Sequence, residues 1–145
     1  MKLKNTLLPA VAGLLATLTL PLCAQTIHLK GDIPFEFSVR GQVMPAGTYT
    51  IEERGSGASQ PCMLAVLDQA RTQKALFLVQ PVTANELPDQ PKLVFTRVRD
   101  RYFLSQVWTT DSTQGLQLVK SREERELIAR VPASEKQGVT ILAKR

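Results

Sequence analysis

The sequence predicts a mainly β domain, an antiparallel β-sandwich or partly closed barrel of about 7–9 strands with one short C-terminal helix. Three observations carry this expectation. Several segments alternate apolar and polar residues with a period of two, which buries one face of a strand. Others are short apolar runs bounded by turn residues, as interior strands are. Only one late segment, Ser121–Val131, changes to helical spacing behind a capping signal.

In chain order, Phe35-Glu36-Phe37-Ser38-Val39-Arg40 alternates strictly, and Gly41-Gln42 ends it. Tyr49-Thr50-Ile51-Glu52 alternates again, with Pro45-Ala46-Gly47-Thr48 in front. Gly47 two residues before Tyr49 matches the tyrosine corner, in which the phenol bonds back to upstream backbone. Gly55–Pro61 reads as a flexible loop. Met63–Leu67 and Ala75–Val79 read as interior strands, and the proline-rich Pro81–Pro91 as a long surface connection. Lys92–Val98 and Tyr102–Thr109 form a hairpin about Arg99-Asp100-Arg101. Straight alternation puts Tyr102, Leu104 and Trp108 on one face of the second strand, and Phe103 and Val107 on the other. Leu116–Leu118 is a further strand. In Ser121-Arg122-Glu123-Glu124 the Ser121 hydroxyl can bond the Glu124 amide while the Glu124 carboxylate reaches back. Glu126 and Arg130 are spaced to pair, and Pro132 stops the helix. Val139–Ala143 reads as a last, edge strand.

The first 24 residues read as an export signal. Lys2 and Lys4 precede the uncharged, apolar Leu7–Leu20, which falls short of the roughly 20 residues a membrane span needs. Leu22-Cys23-Ala24 then offers cleavage between Ala24 and Gln25. The expected organisation is a signal peptide over 1–24 and a single β-rich domain over 25–145, with no membrane span in the mature chain and a periplasmic or secreted location. Loss of Lys2 and Lys4 lowers the net charge from +5 to +3. It also leaves Cys62 as the one cysteine, a small buried hydrophobe in an apolar run.

Ile33-Pro34-Phe35-Glu36-Phe37-Ser38-Val39, Met44-Pro45-Ala46-Gly47-Thr48-Tyr49, Pro91-Lys92-Leu93-Val94-Phe95, Tyr102-Phe103-Leu104-Ser105-Gln106-Val107-Trp108 and Lys120-Ser121-Arg122-Glu123-Glu124-Arg125-Glu126-Leu127 occur in this order. Together they resemble an uncharacterised family of small exported, β-rich proteins of environmental bacteria, over roughly residues 30 to 130. The resemblance implies an exported β domain and brings no activity, cofactor or site residues. Met44 stands where that family usually has Leu, and Arg99 where it usually has Gly.

The chemistry of the side chains argues against catalysis. His28 is the only histidine, so a Ser–His–Asp or Cys–His site would have to use it. It sits near the expected new N-terminus, where fraying is common. Glu52-Glu53 and Glu123-Glu124-Glu126 are the only acidic clusters, and both read as solvated faces. No phosphate-binding glycine loop occurs, and no catalytic, cofactor-binding or metal-ligating set stands out. Arg97, Arg99 and Arg101 gather at a hairpin tip beside Tyr102 and Phe103, a pattern suited to an anionic envelope surface. A charge of +3 on an exported chain argues against nucleic acid. Trp108 is the sole tryptophan, a core residue or the wall of a small cavity.

The expected function is an exported non-enzymatic module of the cell envelope or extracellular space. Its expected partner is a macromolecule, an envelope protein or glycan, with Arg97, Arg99, Arg101 and Trp108 as candidate contacts. The alternative is a small-ligand binder with an apolar cavity lined by Trp108 and Phe77; a small hydrolase is more remote.

Overall fold

In a computed structural model, the described residues are 27–55 and 61–145. They form ten strands, β1 (His28–Ile33), β2 (Phe37–Val39), β3 (Gln42–Met44), β4 (Gly47–Arg54), β5 (Met63–Leu67), β6 (Gln73–Thr83), β7 (Lys92–Val98), β8 (Arg101–Trp108), β9 (Gln114–Leu118) and β10 (Lys136–Lys144). One helix, α1 (Arg122–Arg130), and a 3-10 turn over Ala133–Glu135 lie between β9 and β10. The expected cleavage site, Ala24 and Gln25, lies outside the described residues, as does most of the Gly55–Pro61 loop. No helix among the described residues is long and apolar enough to cross a membrane.

Eight strands close into an antiparallel barrel in the order β8, β7, β10, β1, β4, β5, β6, β9, with β9 returning to β8 through Gln106–Gln117 and Val107–Leu116. Closure removes exposed strand edges. The remaining two strands form a hairpin appended to it. β2 runs parallel to the start of β8, with Phe37 beside Tyr102, and β3 folds back on β2. Arg40 and Gly41, at φ 49° and 85°, make that two-residue turn. Positive φ at both central positions matches the right-handed twist of the flanking strands.

The interior is filled by side chains. Phe37, Phe77 and Phe95 are completely enclosed together with Leu29, Ile51, Leu64, Leu93 and Val66. Phe37 meets both Tyr49 and Phe95 edge to face at centroid distances of 5.2 and 5.5 Å. Such pairs add to the area they bury. Burial raises the Tyr49 pKa, so the phenol keeps its proton and donates to the Pro45 carbonyl at 2.8 Å. This is the corner bond that Gly47 and Tyr49 predict.

Four sequence expectations change. The N-terminal segment is not frayed: β1 pairs with β4 over His28–Ile33 and with β10 through Lys30 and Gly31. β10 is not an edge but lies between β1 and β7. β6 runs on through Pro81 to Thr83, so the connection to β7 is shorter than the prolines suggest. Leu76 and Leu78 of β6 face solvent. Most consequential is a β-bulge in β8: Phe95 pairs with Leu104 but Val94 with Gln106, leaving Ser105 as the extra residue. The Ser105 hydroxyl holds the bulge by donating to the Val94 carbonyl at 3.0 Å. A bulge reverses the alternation beyond it. Tyr102, Leu104 and Val107 therefore join the interior, whereas Phe103 and Trp108 leave it, the reverse of the straight-strand expectation for Trp108 and Val107.

Cys62 departs from the expected lone thiol: it is disulfide-bonded, and the chain's other cysteine is Cys23, outside the described residues.

Candidate functional site

The outer face of β7 and β8 carries two differently covered regions. At the hairpin end, α1 lies on it. The Ser121 side chain accepts from the Glu124 amide at 3.1 Å, and Leu127, Ile128 and Val131 cover Val98 and Phe103. A nine-residue helix gains its stability from such packing. The Glu124 carboxylate in turn accepts from the Ser121 backbone amide, the reciprocal half of the expected capping box. The Glu124 Oε1 atom is buried without a hydrogen-bond partner, and burial raises the Glu124 pKa. Arg122, rather than Arg130, pairs with Glu126, at 2.9 Å.

The three hairpin arginines are brought together, but they are engaged within the chain. Arg97 Nε donates to the Arg99 carbonyl at 2.8 Å, and its guanidinium lies 5.6 Å from the Tyr102 ring centre. Arg99 pairs with Glu135 at 2.8 Å, and Arg101 with Glu123 at 3.5 Å while lying over Phe103. Exposed pairs of this kind contribute about 0–1 kcal/mol each. Their effect here is to leave Arg97 as the one arginine of the three without a carboxylate partner among the described residues. Arg99 also holds a φ of 55°, a conformation that favours the glycine usual in the resembled family.

At the other end, a polar connection over residues 84–91 stands where α1 stands at the first. Trp108 lies beneath it, 6% exposed, with its ring against Gly115. A Cβ added at Gly115 would come within 2.5 Å of the indole, so only glycine lets the ring lie flat on β9. Trp108 Nε1 donates to Gln106 Oε1 at 3.0 Å, and the Gln106 amide keeps its own N–H donors. Between connection and sheet is an open cleft of about 500 Å³. Its polar wall is Asn85, Glu86, Asp89, Lys92 and Gln106, and its apolar part is Leu87, Pro88, Val94 and Trp108. The cavity expected at Trp108 is therefore on the outside of the barrel. Phe77, the other residue expected to line it, is enclosed in the filled interior.

The structure thus divides the four candidate contacts: Arg97, Arg99 and Arg101 at one end, Trp108 at the other. The cleft residues escaped sequence reading. The signal for Lys92 was present, because the hairpin register sets it opposite Trp108.

Glu52 is not part of a solvated acidic face. It is buried on the outer side of β4 and receives Arg54 at 3.0 Å, Arg71, and His28 Nε2 at 3.3 Å. A buried carboxylate needs such partners. The only histidine is therefore held against this carboxylate. Glu53 turns the other way, with its Oε1 buried and unpartnered. Among the described residues, no group of three or more His, Cys, Asp or Glu is placed to hold a metal.

No family model, curated protein or solved structure matches this chain.

Proposed function

We propose that this protein is an exported, non-enzymatic binding module that holds a hydroxyl-rich envelope glycan in the cleft over Trp108. The observation that carries the reading is the pairing of a filled barrel with an open external cleft that is both amide- and carboxylate-rich and floored by an indole. A filled interior leaves no room for an enclosed ligand. An open cleft instead admits a chain that continues past it on either side. Asn85 and Gln106 offer donors and acceptors, and Glu86 and Asp89 accept from hydroxyl groups. Lys92 offsets one of the two acids, which leaves the cleft mildly acidic and favours neutral or amine-bearing sugars over acidic ones. The basic and apolar start of the chain supports export.

Isothermal titration of the purified protein with soluble fragments of its host's envelope glycans tests this. Saturable binding is expected, weakened about tenfold in Asn85→Ala and in Asp89→Ala, as loss of one buried hydrogen bond implies. Binding that both variants retain at full strength would overturn it.

A further inference from the structure

The neighbouring outer face, formed by β1, β10 and the start of β7, has a composition that the glycan cleft does not explain. Lys30 and Lys144 are direct partners across β1 and β10. Their Cβ atoms are therefore about 5 Å apart, and like charges so placed repel. Leu142, the most exposed large apolar residue described, is 59% exposed and stands directly opposite Lys92 on β7. Lys30, Asp32, Thr48, Leu142 and Lys144 line one shallow depression of about 200 Å³. Asp32 is its only acid, and it already accepts from the Thr48 hydroxyl at 2.6 Å. The result is a bare leucine among three lysines and one carboxylate, an excess of two positive charges.

We propose that this face docks on the headgroup surface of an anionic lipid bilayer. The lysines supply the charge complement to lipid phosphates, which would also relieve the Lys30–Lys144 repulsion. The leucine decides between a bilayer and a soluble polyanion. An exposed apolar side chain gains nothing from a hydrated polyanion but gains free energy on entering the headgroup and acyl boundary. No span is needed, because the barrel lies on the surface. Docked this way, the cleft over Trp108 stands beside the membrane, with Lys92 at the border of both.

Vesicle co-sedimentation of the full chain, purified from its exporting host, tests the proposal. Binding is expected to phosphatidylcholine vesicles containing phosphatidylglycerol and not to phosphatidylcholine alone. It is expected to be lost when salt shortens the screening length to about 3 Å. Lys30→Ser with Lys144→Ser should weaken binding about 25-fold, near fivefold for each charge. Leu142→Ser should weaken it about tenfold. All three positions are at the surface, and the emission of Trp108 checks that each variant is folded. Equal binding to both vesicle types, no binding to either, or undiminished binding of the lysine variant would overturn the proposal. So would a Leu142→Ser variant that binds vesicles as the parent does and is displaced equally by polyphosphate, which would assign the face to a soluble polyanion. None of these residues except Lys92 touches the cleft, so the glycan titration stands or falls separately.

Discussion

Phe103 and Trp108 lie on the same strand, both leave the barrel interior, and both are almost completely covered, yet what covers them differs. Phe103 is sealed by apolar side chains of α1 and by Val98. Trp108 is covered by a polar connection that leaves a cleft open beside it. An aromatic ring under an apolar helix is an extension of the core, and its role ends with packing. Trp108 is just as buried, but it borders an open cleft with a polar, hydrogen-bonding rim. On the proposed reading, recognition belongs to the cleft end and stability to the helix end.

Three substitutions sharpen or break this contrast. Phe103→Ala should have the largest effect, about 3–4 kcal/mol lost in urea unfolding, since it removes the ring on which α1 rests. Glycan affinity of the folded fraction should not change; a parallel loss of affinity would mean that the two ends are coupled. Gly115→Val should cost about 2 kcal/mol by forcing the indole off β9. Unlike Phe103→Ala, it should shift the fluorescence of Trp108 and abolish glycan binding. Glu124→Gln should have the smallest effect and the opposite sign. Burial raises the pKa of Glu124 in the folded state above its ordinary 4.5, so the ionised form disfavours folding at neutral pH. The penalty is complete above the raised pKa and vanishes as the pH falls below 4.5. The variant should therefore gain about 0.5–1 kcal/mol at neutral pH. That gain should fade on acidification, measured as urea midpoints across the range.

The local parts of this architecture were legible in the sequence. The apolar run Met63–Leu67, the strand Lys92–Val98, the Ser121 cap and the Tyr49 corner depend on neighbours along the chain, and the structure has them where the pattern puts them. What depends on partners far along the chain was not. Val139–Ala143 reads as an edge because nothing in its own pattern names two neighbours. The bulge at Ser105 is set by how β8 registers on β7, so the side on which Trp108 emerges could not be read from alternation. The arginine tip misleads for the same reason: its acids, Glu123 and Glu135, lie 22 and 36 residues from their partners. The cleft rim was visible only as a polar, proline-rich stretch, because its chemistry arises when that stretch is laid across Gln106 and Trp108.

The most direct measurement is an amide chemical-shift titration of the labelled protein with a binding envelope-glycan fragment. The cleft assignment predicts perturbations confined to residues 84–92 and 106–108 and to the Trp108 indole N–H, with the hairpin residues 97–101 unmoved. Shifts centred on Arg97, Arg99 and Arg101, with a silent indole, would contradict it.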